Sequence, residues 1–245
     1  MSEQLRSELL KIRTIRTVGV FLLSVVSLTL LNVFVEGFSA KLGELSTEEA
    51  QRTLIGDYGA STAVLLSTFV GLLLVTSEYR YGTIRPTLLF EPRRRVFLAA
   101  KLVAAGLTGI VFAAVSVALS FGAGLVVLGV RDVGVELSGT HELVLVFGPV
   151  AASALTAMLG VTIGALIRNQ VGAIVALAVY ALAIETVLFS AAPSVGRYLP
   201  AQAGSALGGM PDEGLLGPGV AGAVLVAWTV AFIAAATVRT DRSDV

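Results

Sequence analysis

The chain has no cysteine and a single histidine, His141, so no disulfide framework, thiolate metal site or histidine-rich cluster can be assembled from it. A soluble zinc or thiol enzyme is excluded with them. Charge is scarce as well. Only 14% of the 245 residues are charged, against roughly a quarter in a soluble domain, and 56% are apolar. The 17 basic and 17 acidic side chains cancel, so the net charge gives no sign of a nucleic-acid partner. The amino terminus is polar and basic, and its first apolar run is too long and lacks a small-residue cleavage site. No removable signal peptide is expected, and the mature chain is expected to begin at or near Met1.

What is present is a series of long apolar runs. A helix crossing hydrocarbon needs about 20 apolar residues, because every backbone group must be satisfied internally. Six runs meet this length: residues 17–35, 58–77, 102–130, 143–167, 171–192 and 218–238. The third is longer than the minimum and is expected to tilt or to project from the bilayer. The sequence therefore predicts an all-α integral membrane protein forming one transmembrane domain.

Basic residues are retained on the cytoplasmic side of short loops. Thirteen of the 17 fall on the face holding both termini, among them Arg6, Lys11, Arg80, Arg93, Lys101, Arg168 and Arg239. Lys41, Arg52, Arg131 and Arg197 fall on the other. Both termini are expected in the cytoplasm, which an even number of spans requires. The opposite face collects acids, including Glu44, Glu48, Glu49, Asp132, Asp212 and Glu213. There, residues 36–57 read as a loop carrying a short surface helix. Residues 193–217 read either as a segment dipping back toward the membrane edge or as a plain loop.

Before the first span, Leu5, Leu9 and Ile12 recur at helical spacing among basic residues. Residues 1–16 are expected to form an amphipathic elbow helix at the membrane surface. Between spans two and three lies the longest loop on the basic face, residues 78–101. Gly82 permits a turn, Thr83 suits an N-cap, Pro86 is tolerated in a first helical turn and Pro92 stops a helix. A helix over residues 84–90 is below two turns and does not hold alone in water. Its apolar residues Ile84, Leu88 and Leu89 must pack on the protein's own helix ends or on a cytoplasmic partner. The competing reading is that Arg93, Arg94 and Arg95 merely anchor span three at anionic lipid, with Lys101 snorkelling along it.

The segment Glu78-Tyr79-x-x-Gly82-Thr83-Ile84-x-x-Thr87-Leu88, followed by Pro92, Arg94, Arg95 and Ala100-Lys101, resembles the permease subunits of type-2, export-type ATP-binding cassette transporters, common in actinobacteria. The amino-terminal Glu8-x-x-Lys11 also resembles that family, and six spans with both ends inside extend the likeness over essentially the whole chain. The resemblance implies that residues 82–90 form a coupling helix docking on a separate ATP-binding subunit, with Glu78 and Arg94 bracing its ends. Arg80, Gly82, Thr83, Ile84, Leu88, Leu89 and Arg95 join them as partner-coupling positions. It also implies a smaller second contact at Arg168–Gln170.

A Walker A loop needs glycine directly before its lysine, so that backbone wraps the phosphates while the lysine reaches them. The lysines, Lys11, Lys41 and Lys101, follow Leu10, Ala40 and Ala100. The chain thus has no such loop, and no catalytic or metal-ligating residue is assigned. ATP and Mg are expected in the partner, in two copies serving two membrane halves, the second half identical or paralogous. The location implied is the bacterial inner membrane, in contact with lipid.

Within the spans, Glu185 is the one acid. Placing it near the bilayer centre costs about 2.5–3.5 kcal/mol on insertion scales. It reads as a site for a cationic substrate, as a proton relay, or as a carboxyl tied to a neighbouring hydroxyl or partner subunit. Asn32 reads as a cavity group or an interhelical hydrogen bond, and Gly160 with Gly164 as close helix packing. An apolar cavity with few polar groups suits a lipophilic or amphiphilic compound: a drug, lipid or antibiotic. The alternatives are a proton-coupled secondary transporter using Glu185, an importer permease and a lantibiotic-immunity-like system. An intramembrane enzyme stands last, for want of paired acids.

Overall fold

In the computed structural model, which describes residues 2–90, 93–136, 139–209 and 214–242, the described chain is helical and contains no strand. Six of its helical segments are long and apolar enough to cross a membrane. The protein is a multi-pass membrane protein.

The amino-terminal helix α1 spans Ser2–Thr14, and the first long helix, α2, spans Arg16–Ser39. Two short helices follow, α3 (Leu42–Leu45) and α4 (Glu48–Arg52). A π-helical turn at Thr53–Asp57 leads directly into α5 (Tyr58–Tyr81). The surface helix expected in this loop is therefore two helices, the second capped by the Thr47 side chain, which accepts from the Ala50 amide at 3.3 Å. The short helix α6 (Ile84–Phe90) separates α5 from α7 (Arg94–Val130). Helix α7 starts at Arg94, ahead of the apolar run expected from Leu102, and its 37 residues give a length of about 55 Å. That exceeds the hydrocarbon thickness of roughly 30 Å.

Helix α8 spans Gly139–Ile167. The next span is broken in register: α9 (Gln170–Val179), a π-helical turn at Tyr180–Ile184, then α10 (Glu185–Ala191). Beyond it lie α11 (Pro193–Gly196), α12 (Pro200–Leu207) and the last long helix, α13 (Pro218–Asp241). Residues 193–207 thus fold back on the bundle as two short helices. Ala203, Gly204 and Ala206 of α12 are buried. The expected acids Asp212 and Glu213 lie outside the described residues, as do Glu91 and Pro92.

Helices α5, α7 and α8 form the centre, while α2, α9–α10 and α13 lie outside with most of their apolar surface uncovered. Glycine sets the central spacing. A Cβ on Gly71 would fall 2.0 Å from the Ala157 carbonyl oxygen, and one on Gly160 would fall 2.0 Å from that of Thr68. The helices therefore meet backbone to backbone, as the Gly160–Gly164 spacing predicts, and Gly164 likewise abuts Leu72. Phe112, Val161 and Leu74 fill the adjoining core.

Hydrogen bonds close both ends of the bundle. At one, the guanidinium of Arg131 donates 2.6 Å bonds to the Gly37 and Ala40 carbonyls. Buried Gln51 donates to Leu45 and Gly134 and accepts from the Glu136 amide. At the other end, Arg94 donates to the Thr240 carbonyl at 2.8 Å and Arg168 to that of Arg239 at 3.1 Å. Both cations thus serve the carbonyl end of α13, where positive charge is favoured. The start of α7, the end of α13 and α1 consequently share one end of the bundle.

Candidate functional site

Helix α5 ends in a left-handed residue, Gly82, at φ 67°. The Thr83 amide then reaches back to the Glu78 carbonyl at 3.0 Å, the closure that lets a chain leave a helix abruptly. Gly82 thus makes the turn expected of it. The turn sets α6 at the end of α5 with its two sides in different surroundings. Ile84 is 7% exposed and packs into the protein, whereas Leu89 is 84% and Tyr81 72% exposed. Arg80, Arg85 and Arg95 are exposed. The side chain of Leu88 lies outside those described. Of the two described apolar coupling positions, then, only Leu89 faces outward.

The charged residues around α6 make the following contacts. Arg94 reaches Thr240, Arg95 pairs with Asp241 at 3.0 Å, and Arg80 donates to Gln170 at 3.2 Å. Glu78 turns inward, into a group of four charges of which Lys11 is half-buried and the others buried. The Lys101 ammonium donates to Glu8 Oε2 at 2.9 Å, to Glu78 Oε1 at 2.8 Å and to the Leu74 carbonyl at 2.9 Å. These use all three of its donors. Lys11 donates to Glu8 Oε1 and Glu78 Oε1, both at 2.8 Å.

Lys101 and Glu8 are fully buried, and the Phe97 ring lies 5.0 Å from the Lys101 ammonium. Lys101 does not snorkel to lipid. Its charge is neutralised inside the protein, which is why α7 continues without a break through it. Burial pulls the Lys11 ammonium down, but its hydrogen bonds to Glu78 and Glu8 outweigh that and hold its pKa above the ordinary value of 10.5. The group ties α1 to α5 and α7, and it borders a cavity of about 450 Å³ that also touches Tyr81 and Thr87, beside α6. Each of the four was visible in the sequence, and an ionisable residue inside the apolar run after Arg95 was the signal that Lys101 needed partners.

A second cavity, of about 570 Å³, lies between α5, α8, α9–α10, α12 and α13. Its wall is largely apolar and includes Thr68, Thr156, Tyr180, Glu185, Trp228 and Phe232. Glu185 is fully buried, and both its oxygens accept from the Ala201 amide, at 3.0 and 3.1 Å. Ala201 is in the first turn of α12, which has no side-chain cap of its own, so Glu185 supplies the acceptor that those amides need. The Tyr180 hydroxyl is at 3.4 Å. The π-helical turn immediately before Glu185 shifts the side-chain register of the span, so that a helix with exposed Leu182, Ile184, Val187 and Leu188 directs this residue inward. The indole N–H of Trp228 donates to the Tyr198 carbonyl at 2.8 Å, fixing the ring. Asn32, half-buried on α2, is not in this lining, so the structure does not bring the two expected cavity residues together.

Compared with protein families and with curated proteins, the sequence matches no family model and no curated protein.

Proposed function

We propose that the chain is the membrane-spanning permease subunit of an ATP-binding cassette transporter, exporting a lipophilic or amphiphilic compound. A separate nucleotide-binding subunit, in two copies, hydrolyses ATP with Mg, and a second membrane half, identical or paralogous, completes the assembly. The end carrying α1, α6 and the close of α13 faces the cytoplasm of a bacterial cell, the membrane being the inner one. That end holds 13 of the 17 basic residues, as retention of positive charge in the cytoplasm requires.

The observation that carries the reading is the pairing of α6 with the charge group behind it. A seven-residue helix presents Leu89 almost completely uncovered. The same short stretch of chain carries exposed Tyr81, Arg80 and Arg85, residue types enriched where partners dock. Glu78, in the last turn of α5 and bonded through its carbonyl to the Thr83 amide just ahead of α6, is fixed to α1 and α7 through Lys11 and Lys101. A push on α6 is thereby delivered to three helices. Copurification tests this: a nucleotide-binding subunit is recovered with the wild-type chain and lost with Leu89→Asp. Transport that survives ATP depletion and vanishes in Glu185→Gln favours the proton-driven alternative.

A further inference from the structure

We propose that the cavity between α5, α8, α9–α10, α12 and α13 binds a lipophilic organic cation, with Glu185 as its counter-charge and Trp228, Tyr180 and Phe232 as aromatic wall. The acid is fully buried, and its hydrogen-bond partners are the Ala201 amide and the Tyr180 hydroxyl. Neither is a cation. Arg197, in the same folded-back segment, holds its guanidinium over the Tyr198 ring at 5.1 Å and makes no ion pair with Glu185 among the described residues. The Ala201 amide, in the first turn of α12, donates to both carboxyl oxygens, and among the described residues no basic side chain pairs with them, so the cavity wall carries an acid without a cationic partner there.

The rest of the wall selects the kind of cation. A small hydrated ion gains nothing from leucine, isoleucine and aromatic rings. A bulky apolar cation gains both from apolar burial and from the ring faces, where cation–π attraction strengthens as water is removed. The volume, about 570 Å³, suits one drug-sized molecule. The Trp228–Phe232 pair, with centroids 5.9 Å apart, lines one side. As a class of transport substrate this assignment rests on the permease reading; as a binding site it does not.

Trp228 is the single tryptophan of the chain, so tryptophan fluorescence comes from a residue of this cavity's wall. The experiment titrates the purified full chain, in nonionic detergent, with tetraphenylphosphonium and with tetraphenylborate, two ions of the same shape and opposite charge. The expected result is saturable quenching by the phosphonium ion and at least about tenfold weaker binding of the borate. Glu185→Gln keeps an acceptor for the Ala201 amide and is expected to weaken phosphonium binding about tenfold, with an unchanged melting temperature. Equal binding of the two ions by the wild type, or preference for the borate, overturns the proposal, and this comparison stands even if the variant does not fold. Unchanged phosphonium affinity in a folded Glu185→Gln overturns it too. No nucleotide is present. A chain that copurifies with an ATPase yet shows no charge preference keeps the permease reading and loses this site, while the reverse result keeps the site alone.

Discussion

The ammonium of Lys101 stands 2.8 Å from the carboxylate of Glu78, both inside the protein, where α7 crosses α5. Taking such charges out of water costs several kcal/mol each, and only close pairing and full hydrogen bonding offset it. Lys101→Met leaves Glu8 and Glu78 with Lys11 alone. The expected loss is about 3–5 kcal/mol of stability, read as a lower melting temperature in detergent. Adding Glu8→Gln and Glu78→Gln to Lys101→Met is expected to recover much of it. A deficit that stays the same in the triple variant points to packing rather than charge.

Lys11 makes the same group sensitive to alkali. Its pKa is raised in the folded protein, burial opposing and Glu78 and Glu8 enforcing the rise. A raised lysine contributes stability that is fully present below the unfolded value and lost as pH climbs through the folded one. The melting temperature is therefore expected to hold, as far as Lys11 governs it, through neutral pH and to fall above the ordinary lysine value of 10.5. Lys11→Met is expected to be less stable at neutral pH and to lack that part of the alkaline decline. Identical alkaline profiles for the two proteins contradict the assignment.

Glycine substitutions divide by location. Gly160→Ala and Gly71→Ala place a methyl group against the carbonyl oxygens of Thr68 and Ala157, which cannot retreat without parting α5 from α8. A loss of about 1–3 kcal/mol is expected. Gly19 and Gly122 have open space around them, and alanine there is expected to be neutral or slightly stabilising in the helix. Thermal unfolding of the four variants side by side decides it.

The helices were legible because hydrophobic length alone marks a span: five of the six runs lie within long helical segments, and the fifth, 171–192, overruns its broken segment by one residue. Their ends were less so. Span three reads from Leu102 because charges precede it, yet Lys101 is paired internally and the helix runs back to Arg94. Charge read along one strand of sequence does not reveal its neutralisation by Glu8, 93 residues away. Gly82 was readable, since a turn of that sharpness needs a left-handed residue, and the close contact at Gly160 followed from small-residue spacing. The π-helical turn at Tyr180–Ile184 leaves no mark in composition, and it decides where Glu185 points. The tie of Glu185 to a neighbouring hydroxyl was among the readings of the sequence, whereas its service to the first turn of α12 required the folded-back segment to be seen.

Helix α6 separates two effects that sequence treats alike. Ile84 is buried and Leu89 exposed, so Ile84→Asp is expected to cost stability, by roughly 2–3 kcal/mol for an unpaired polar group in apolar surroundings. Leu89→Asp is expected to leave the melting temperature unchanged. Equal melting temperatures for the two variants contradict this division.

In the proposed assembly, ATP hydrolysed by another chain acts on this one through α6. The most direct measurement is the ATPase activity of the copurified complex, reconstituted in lipid, for wild type and Leu89→Asp. Activity is expected in the wild-type complex, together with a variant chain that folds normally but neither retains the nucleotide-binding subunit nor alters its hydrolysis. A Leu89→Asp chain that binds the subunit and supports wild-type turnover, or a wild-type chain that recovers no such subunit, contradicts it.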